Sequence, residues 1–291
     1  MKTPISKSIS IVSILLIVFT GAMGHNTIID TAKNELAPLG NIKNLSANSN
    51  KANVVYPAIL TGHESQSLSY IERFSINRRE YLIRTFNKGK KFFPKIAVIF
   101  RKYDLPEEFK ILMALESGFN PNAVSPAGAV GYWQIMAPVA REYGLRISER
   151  NNTSKAKRNS RKGIKKTIII DERKNFNKST CVAARYLKDR GRNLNNDCLL
   201  IVASYNWGVG NVWNAMERTG KSRPTFWDIK KYLPAETRTY VMNFIAINVI
   251  LHNYEKFAKN KLTFQSEDDS SEDQEECSAF IGPVMDIKTT F

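Results

Sequence analysis

The stretch Leu105-Pro106-Glu107-Glu108-Phe109-Lys110-Ile111-Leu112-Met113-Ala114-Leu115-Glu116-Ser117-Gly118-Phe119-Asn120-Pro121 has a beginning, a middle and an end. Pro106 and the two acids after it start a helix, because proline lacks an N–H that the first turn would leave unbonded and acids favour the positive helix end. The apolar run from Phe109 to Leu115 carries the helix, and Gly118 stops it. Glu116 therefore stands at the C-terminal end of an apolar helix, with Leu112, Met113 and Leu115 before it and Phe119 after it. A carboxyl against such a wall can keep a proton near neutral pH, which is what a general acid needs. Taken alone this is weak evidence, since most glutamates at helix ends are capped or solvated.

Outward from this helix the pattern stays helical. Asn120-Pro121 and Ser125-Pro126-Ala127-Gly128 are loop chemistry, and a short helix is expected over 133–143, ending at Gly144. Helical spacing returns over 179–190, 198–205, 209–218 and 225–232, and a last helix starts near Ala235 and runs to about Phe257. On the N-terminal side, Tyr70, Ile71, Phe74, Tyr81, Leu82, Phe86, Ile96, Ile99 and Phe100 recur at spacings of three and four. They predict amphipathic helices over 69–103 with basic outer faces, packed on their own domain. No strand-period segment of useful length occurs, although 167–170 is short and apolar enough for a strand. The fold class expected is all-α.

The ends and the charge set the compartment. Lys2 and Lys7 precede an apolar run from Ile9 to Thr20, and Gly21-Ala22-Met23-Gly24 offers small residues for cleavage. That is a signal-peptide pattern; the alternative is an uncleaved membrane anchor. The formal net charge of +16 attracts polyanions. Export disfavours nucleic acid as the partner and leaves the anionic cell envelope. Basic residues from Arg150 to Lys166 read as an exposed charge run, with glycan or anionic polymer as an alternative contact. Cys181 and Cys198 lie in apolar runs and read as small core hydrophobes, a disulfide between them being the alternative; Cys277 stands apart. The three lack the paired spacing of a metal site, so neither a metal nor a cofactor is implied. The boundaries expected are a signal peptide over 1–24, a flexible linker over 25–68, a helical extension over 69–103, a catalytic domain over 104–258 and an acidic disordered tail over 259–291.

The run from Ala114 to Ser125 resembles the catalytic segment of the lysozyme-like lytic transglycosylases, the soluble lytic transglycosylase superfamily. Further blocks follow in that family's order. They are Ala127-Gly128-Ala129-Val130-Gly131-Tyr132-Trp133-Gln134-Ile135-Met136, then Asp171-Glu172-Arg173 with the run from Ser179 to Leu187, then Ala203-Ser204-Tyr205-Asn206-Trp207-Gly208, and last the run from Leu233 to Val241. The D-type membrane-bound lytic murein transglycosylases resemble the chain most, their segment before the glutamate also being helical. The chain departs from the pattern in its long basic stretch before Asp171, in Ser204, and in Trp207 where a small residue is usual.

The resemblance implies a lysozyme-like domain in which Glu116 is the single acid/base. It implies that Ser117, Gln134, Met136, Tyr205, Asn206, Glu236 and Tyr240 contact substrate or its surroundings, with Tyr205 the candidate to orient the acid or the substrate. Glu236 could equally anchor the last helix. Tyr132, Trp133 and Trp207 are candidates for sugar-stacking platforms or for core, and Arg185 and Arg238 for braces between helices. The implied activity is that of an exported lyase. It cuts peptidoglycan glycan strands at the β-1,4 bond between N-acetylmuramic acid and N-acetylglucosamine, leaving 1,6-anhydromuramic ends. No acidic residue lies between Glu116 and Glu142, whereas a glycosidase that uses water normally needs two carboxylates. A hydrolytic muramidase and a catalytically weak peptidoglycan-binding envelope protein are the alternatives. The place expected is the periplasm or envelope, with membrane attachment if the signal stays uncut.

Overall fold

A computed structural model describes residues 52–148 and 170–264. The signal peptide, the linker up to Lys51, the basic run 150–166, most of the expected strand at 167–170, Cys277 and the tail from Gln265 onward lie outside the described residues.

Ten α-helices make up the described chain: α1 (Glu64–Asn77), α2 (Arg79–Arg101), α3 (Ile111–Ser117), α4 (Ala137–Glu142), α5 (Phe176–Asn193), α6 (Cys198–Trp207), α7 (Val209–Glu217), α8 (Phe226–Ile229), α9 (Ala235–His252) and α10 (Tyr254–Ala258). Short 3-10 turns join them, and the only β pairing among the described residues is isolated bridges, Val124 with Val130, Val130 with Ile135, and Ile147 with Asp171. The all-α expectation holds there. No described helix is long and apolar enough to cross a membrane.

Three helices form the centre, and their sequences explain why. Ile111, Leu112, Met113 and Ala114 of α3 are all buried, as are Leu199 to Ser204 of α6, so neither helix has a polar side to show to water. Along α9 everything from Phe244 to Ile250 is buried. α9 packs on α1, α6, α3 and α2, and α5 packs on α2 and α6. The outer helices are amphipathic: α2 buries Leu82, Thr85, Ile96, Ala97 and Phe100 and turns its lysines outward. Local caps set the ends. Asn175 Oδ1 accepts the Lys178 N–H at 3.0 Å, Asp197 Oδ1 accepts that of Leu200 at 2.9 Å, and Thr225 with Asp228 closes a capping box on α8.

Several expected boundaries shift, each for a local reason. A 3-10 turn over Glu107–Lys110 leads into α3, so Pro106 is the cap rather than the first helical residue. The helix expected over 133–143 begins only at Ala137, because Gln134 adopts a left-handed backbone (φ 46°) and Ile135 pairs with Val130. The last helix breaks at Asn253 (φ −103°, ψ 23°), whose side chain exchanges hydrogen bonds with the Val55 backbone. Cys181 and Cys198 are both free thiols, so the disulfide alternative falls; Cys198 packs partly buried against the core, whereas Cys181 is half-buried outside it.

Residues 52–60, expected to belong to a flexible linker, lie along the end of the fold. Asn53 N–H donates to the Thr263 carbonyl at 3.1 Å, Val55 exchanges hydrogen bonds with the Asn253 side chain, and Leu60 is fully buried. The segment ends in a 3-10 turn over Ala58–Leu60, and Val54, Tyr56, Ile59 and Leu60 meet the core without the helical period that sequence reading looks for. The helices before Asp104 share one core with those after it: Ile71, Phe74, Leu82, Ile96 and Phe100 join Phe109, Trp133 and Phe244 in a single buried cluster.

Candidate active site

α3 delivers Glu116 into the interior, and Gly118 caps the helix two residues later. Its φ of 56° is a left-handed conformation that glycine adopts without a Cβ penalty, and its N–H closes on the Ala114 carbonyl at 3.0 Å. α9 brings Tyr240 opposite, and the Tyr240 hydroxyl donates to Glu116 Oε1 at 2.5 Å. Burial pushes the Glu116 carboxyl up to about 7; the Tyr240 bond works against this, and the negative charge of Glu236 adds to it. Glu236 is exposed in the first turn of α9, where a carboxylate favours the helix end. Burial and the Glu116 charge push the Tyr240 phenol well above its ordinary range. It therefore remains a donor at any neutral pH.

Tyr205, expected to orient the acid or the substrate, does not bond the acid. Its hydroxyl donates to the Trp133 carbonyl at 2.8 Å, and its ring stands edge-on to Tyr186 at 5.6 Å. The Glu116 charge helps hold the Tyr205 phenol up, after burial, so the two groups face the same interior space. The orienting bond is made by Tyr240. Sequence could not rank the two tyrosines, because each sits in its own block and neither spacing shows which helix crosses α3.

The other expected residues fall into two groups. Ser117 is buried, with its hydroxyl donating to the Tyr132 carbonyl at 2.7 Å and accepting the Asn120 N–H at 3.2 Å. It ties the end of α3 to the glycine-rich segment. Gln134 Nε2 donates to the carbonyls of Ala123 and Gly131, at 3.1 and 2.9 Å, and so holds that segment's fold. Asn206 Oδ1 accepts from Thr237 at 2.8 Å, linking α6 to α9. Met136 caps α4 and stays half-exposed. Trp133 is fully buried, its indole N–H donating to Thr180 at 3.0 Å. It is therefore core and not a sugar platform. Tyr132 and Trp207 keep part of their surface.

Arg173 is the residue whose role the sequence did not disclose. Its guanidinium forms a two-pronged pair with Asp171, at 2.9 and 2.7 Å, and Nη1 donates to the carbonyls of Gly128 and Ile135, each at 3.2 Å. Gly131 lies against it so closely that a Cβ there would stand 2.3 Å from the Arg173 carbonyl oxygen. The clamp fixes the loop that carries Tyr132, Gln134 and Met136. Its sequence signals were its place in the Asp171-Glu172-Arg173 block and a basic residue two places after an acid, and neither says which carbonyls it reaches. Arg185 braces as expected, donating to the Tyr143 carbonyl at 3.1 Å, and Arg238 donates to that of Leu233 at 2.8 Å.

Comparison with known proteins meets this geometry. Residues 97–226 match the transglycosylase SLT domain. Membrane-bound lytic murein transglycosylase D of Escherichia coli (strain K12) is 31% identical over 185 residues, which cover 62% of this chain and 36% of that protein. The chain thus spans about a third of the length of that relative. Among solved structures, the 70 kDa soluble lytic transglycosylase from Escherichia coli matches 68% of this chain and 32% of its own, with 18% identity and a TM-score of 0.42. The lytic transglycosylase Slt of Pseudomonas aeruginosa, solved as an inactive mutant, matches 58% and 24%, with 19% identity and a TM-score of 0.41. Glu116, the glycine-rich segment, the Arg173 clamp and Tyr205 all lie inside the residues, 97–226, that match the transglycosylase SLT domain.

Proposed function

We propose that the chain is a lytic murein transglycosylase that cuts the β-1,4 bond between N-acetylmuramic acid and N-acetylglucosamine without water. The observation that carries this reading is a half-buried Glu116 carboxyl held up to about 7 and hydrogen-bonded to Tyr240. Near neutral pH such a group is present in both protonation states, so one residue can serve first as acid and then as base. Its proton goes to the leaving oxygen as the C1–O bond breaks, and the N-acetyl group of the muramic unit covers the charge at C1. The C6 oxygen then bonds to C1, its proton returns to Glu116, and a 1,6-anhydro ring closes. Tyr240 keeps the carboxyl aimed throughout. Tyr205, Gln134, Met136 and Asn206 are assigned to the walls around the strand, and Ser117 to positioning. The domain match and the relative's name support peptidoglycan as substrate and the cell envelope as the place of action.

One observation favours a second reading, hydrolysis. Glu236 is exposed and near enough for its charge to act on Glu116, so it could activate a water. Mass spectrometry of the products separates the readings, because an anhydro end is lighter than a reducing end by one water. Anhydro products are expected, lost in Glu116→Gln, with activity falling as pH rises through about 7 and the acid loses its proton. Reducing ends labelled by heavy-oxygen water would establish hydrolysis instead. Clearance by Glu116→Gln at the wild-type rate would remove the assignment of Glu116.

A further inference from the structure

An open depression of about 290 Å³ lies between α2 and the first turn of α5. Phe92, Tyr132 and Phe176 form its apolar floor, with ring centroids 5.6 to 5.7 Å apart, Tyr132 standing edge-on to Phe176 at 88°. Lys91 and Lys95, one turn apart and exposed, bring two ammonium groups to the rim, and Asn175 and Asn177 complete the wall. No carboxylate lines it. Neither lysine has an acidic partner among the described residues, Lys91 lying instead 5.7 Å from the Phe92 ring.

The cations belong to a longer row. From Tyr81 to Tyr103 the sequence holds no acid, and Arg84, Lys88, Lys91 and Lys95 recur on the exposed face of α2 at steps of four, three and four. Like charges at these spacings repel, so the row costs stability that an anionic partner would offset. A peptide carboxylate suits the depression better than a membrane does. The concavity is small, its floor is aromatic, and a side chain can lie on the rings while the carboxylate meets the ammonium groups.

The depression is also joined to the acid. Tyr132 lends its ring to the floor, while its carbonyl accepts the hydroxyl of Ser117, the residue after Glu116. We infer that this depression is a subsite for a carboxylate of the peptide stem that branches from the glycan strand. The inference rests on the proposed activity, and it adds a peptide contact to a reaction otherwise read from the sugars alone.

The test compares wild type, Lys91→Gln/Lys95→Gln and Lys91→Arg/Lys95→Arg on two substrates, strands with their peptides and strands from which an amidase has removed them. A free acidic stem tetrapeptide, titrated by nuclear magnetic resonance, is the binding probe. The Gln pair is expected to lower kcat/KM about tenfold, mainly through KM, on peptide-bearing strands only, and to abolish tetrapeptide binding, while the Arg pair restores both. Equal loss on both substrates, or no loss on either, overturns the subsite. So does a Gln pair that loses only binding to vesicles of anionic phospholipid, which would make the row a membrane contact. Should wild type cut neither substrate, the activity fails, and tetrapeptide binding still decides the subsite.

Discussion

A carboxyl that must hold its proton near neutral pH is stabilised in its neutral form by the fold, and Glu116 shows what this costs. Its ordinary value is 4.5 and its value in the folded chain is about 7. Between those limits the folded protein binds a proton that the unfolded chain has released. Stability therefore falls as pH rises through that window, and the loss is complete above it. The full shift corresponds to about 3 kcal/mol; water still reaching the half-buried carboxyl reduces this to about 1–2 kcal/mol. Glu116→Gln keeps the shape and an acceptor for the Tyr240 hydroxyl but carries no charge. The variant is expected to match wild type in urea unfolding at pH 4 and to exceed it by about 1–2 kcal/mol at pH 8. Equal stability at both pH values would mean that burial does not disfavour the Glu116 charge. Much of this residue was legible in sequence, because an apolar helix ending in Glu-Ser-Gly states both its burial and its stop. Its partner was not, since Tyr240 lies 124 residues away and only the crossing of α3 and α9 brings them together.

At the scale of elements, the segment between α3 and α4 is held by side chains rather than by a ladder. Its bridges are isolated, and Gln134 and Arg173 tie down the carbonyls that a strand partner would otherwise take. This is also why sequence misplaced the start of α4: the glycines mark a turn, but the apolar residues at 130, 133 and 135 read equally well as a helix face. Asp171 is central to the clamp. Burial works to raise its carboxyl, yet the Arg173 guanidinium and N–H hold it below the usual carboxylate range. The Arg173 side chain is only 8% exposed, so removing it strands a partly buried carboxylate and two carbonyls. Arg173→Met is expected to cost about 3 kcal/mol in urea unfolding. The double variant Asp171→Asn/Arg173→Met should lose at least about 1 kcal/mol less than the sum of the single changes. Additive losses would show that the pair is not coupled and that the clamp works through the carbonyls alone.

Across the whole molecule, the chain closes on itself where sequence analysis expected only a linker. α3, α6 and α9 could be recognised as core from their apolar runs, and the amphipathic period of α1 and α2 announced the outer layer. The strap over 52–60 gave no such signal, because it has no helical period: hydrogen bonds at Asn53 and Val55 and the packing of Val54, Tyr56, Ile59 and Leu60 attach it near the other end of the fold. Asn253 joins the two. Its Nδ2 donates to the carbonyls of Val55 and Val249, at 2.6 and 2.8 Å, its Oδ1 accepts the Val55 N–H at 3.1 Å, and it is 6% exposed. Replacing it leaves the part-buried backbone groups of Val55 without their partners and opens the end of the last long helix, at roughly 1–3 kcal/mol. Asn53, by contrast, bonds at an exposed end, where water can replace what is lost. Asn253→Ala is therefore expected to lose about 2 kcal/mol and to open 52–60 to limited proteolysis, while Asn53→Ala loses less than about 1 kcal/mol and stays resistant. The fully buried Leu60 makes the outcome sharper, since a strap that peels away uncovers part of the core. A strap cleaved equally fast in wild type and Asn253→Ala, with unchanged stability, would mean that the fold stands without it.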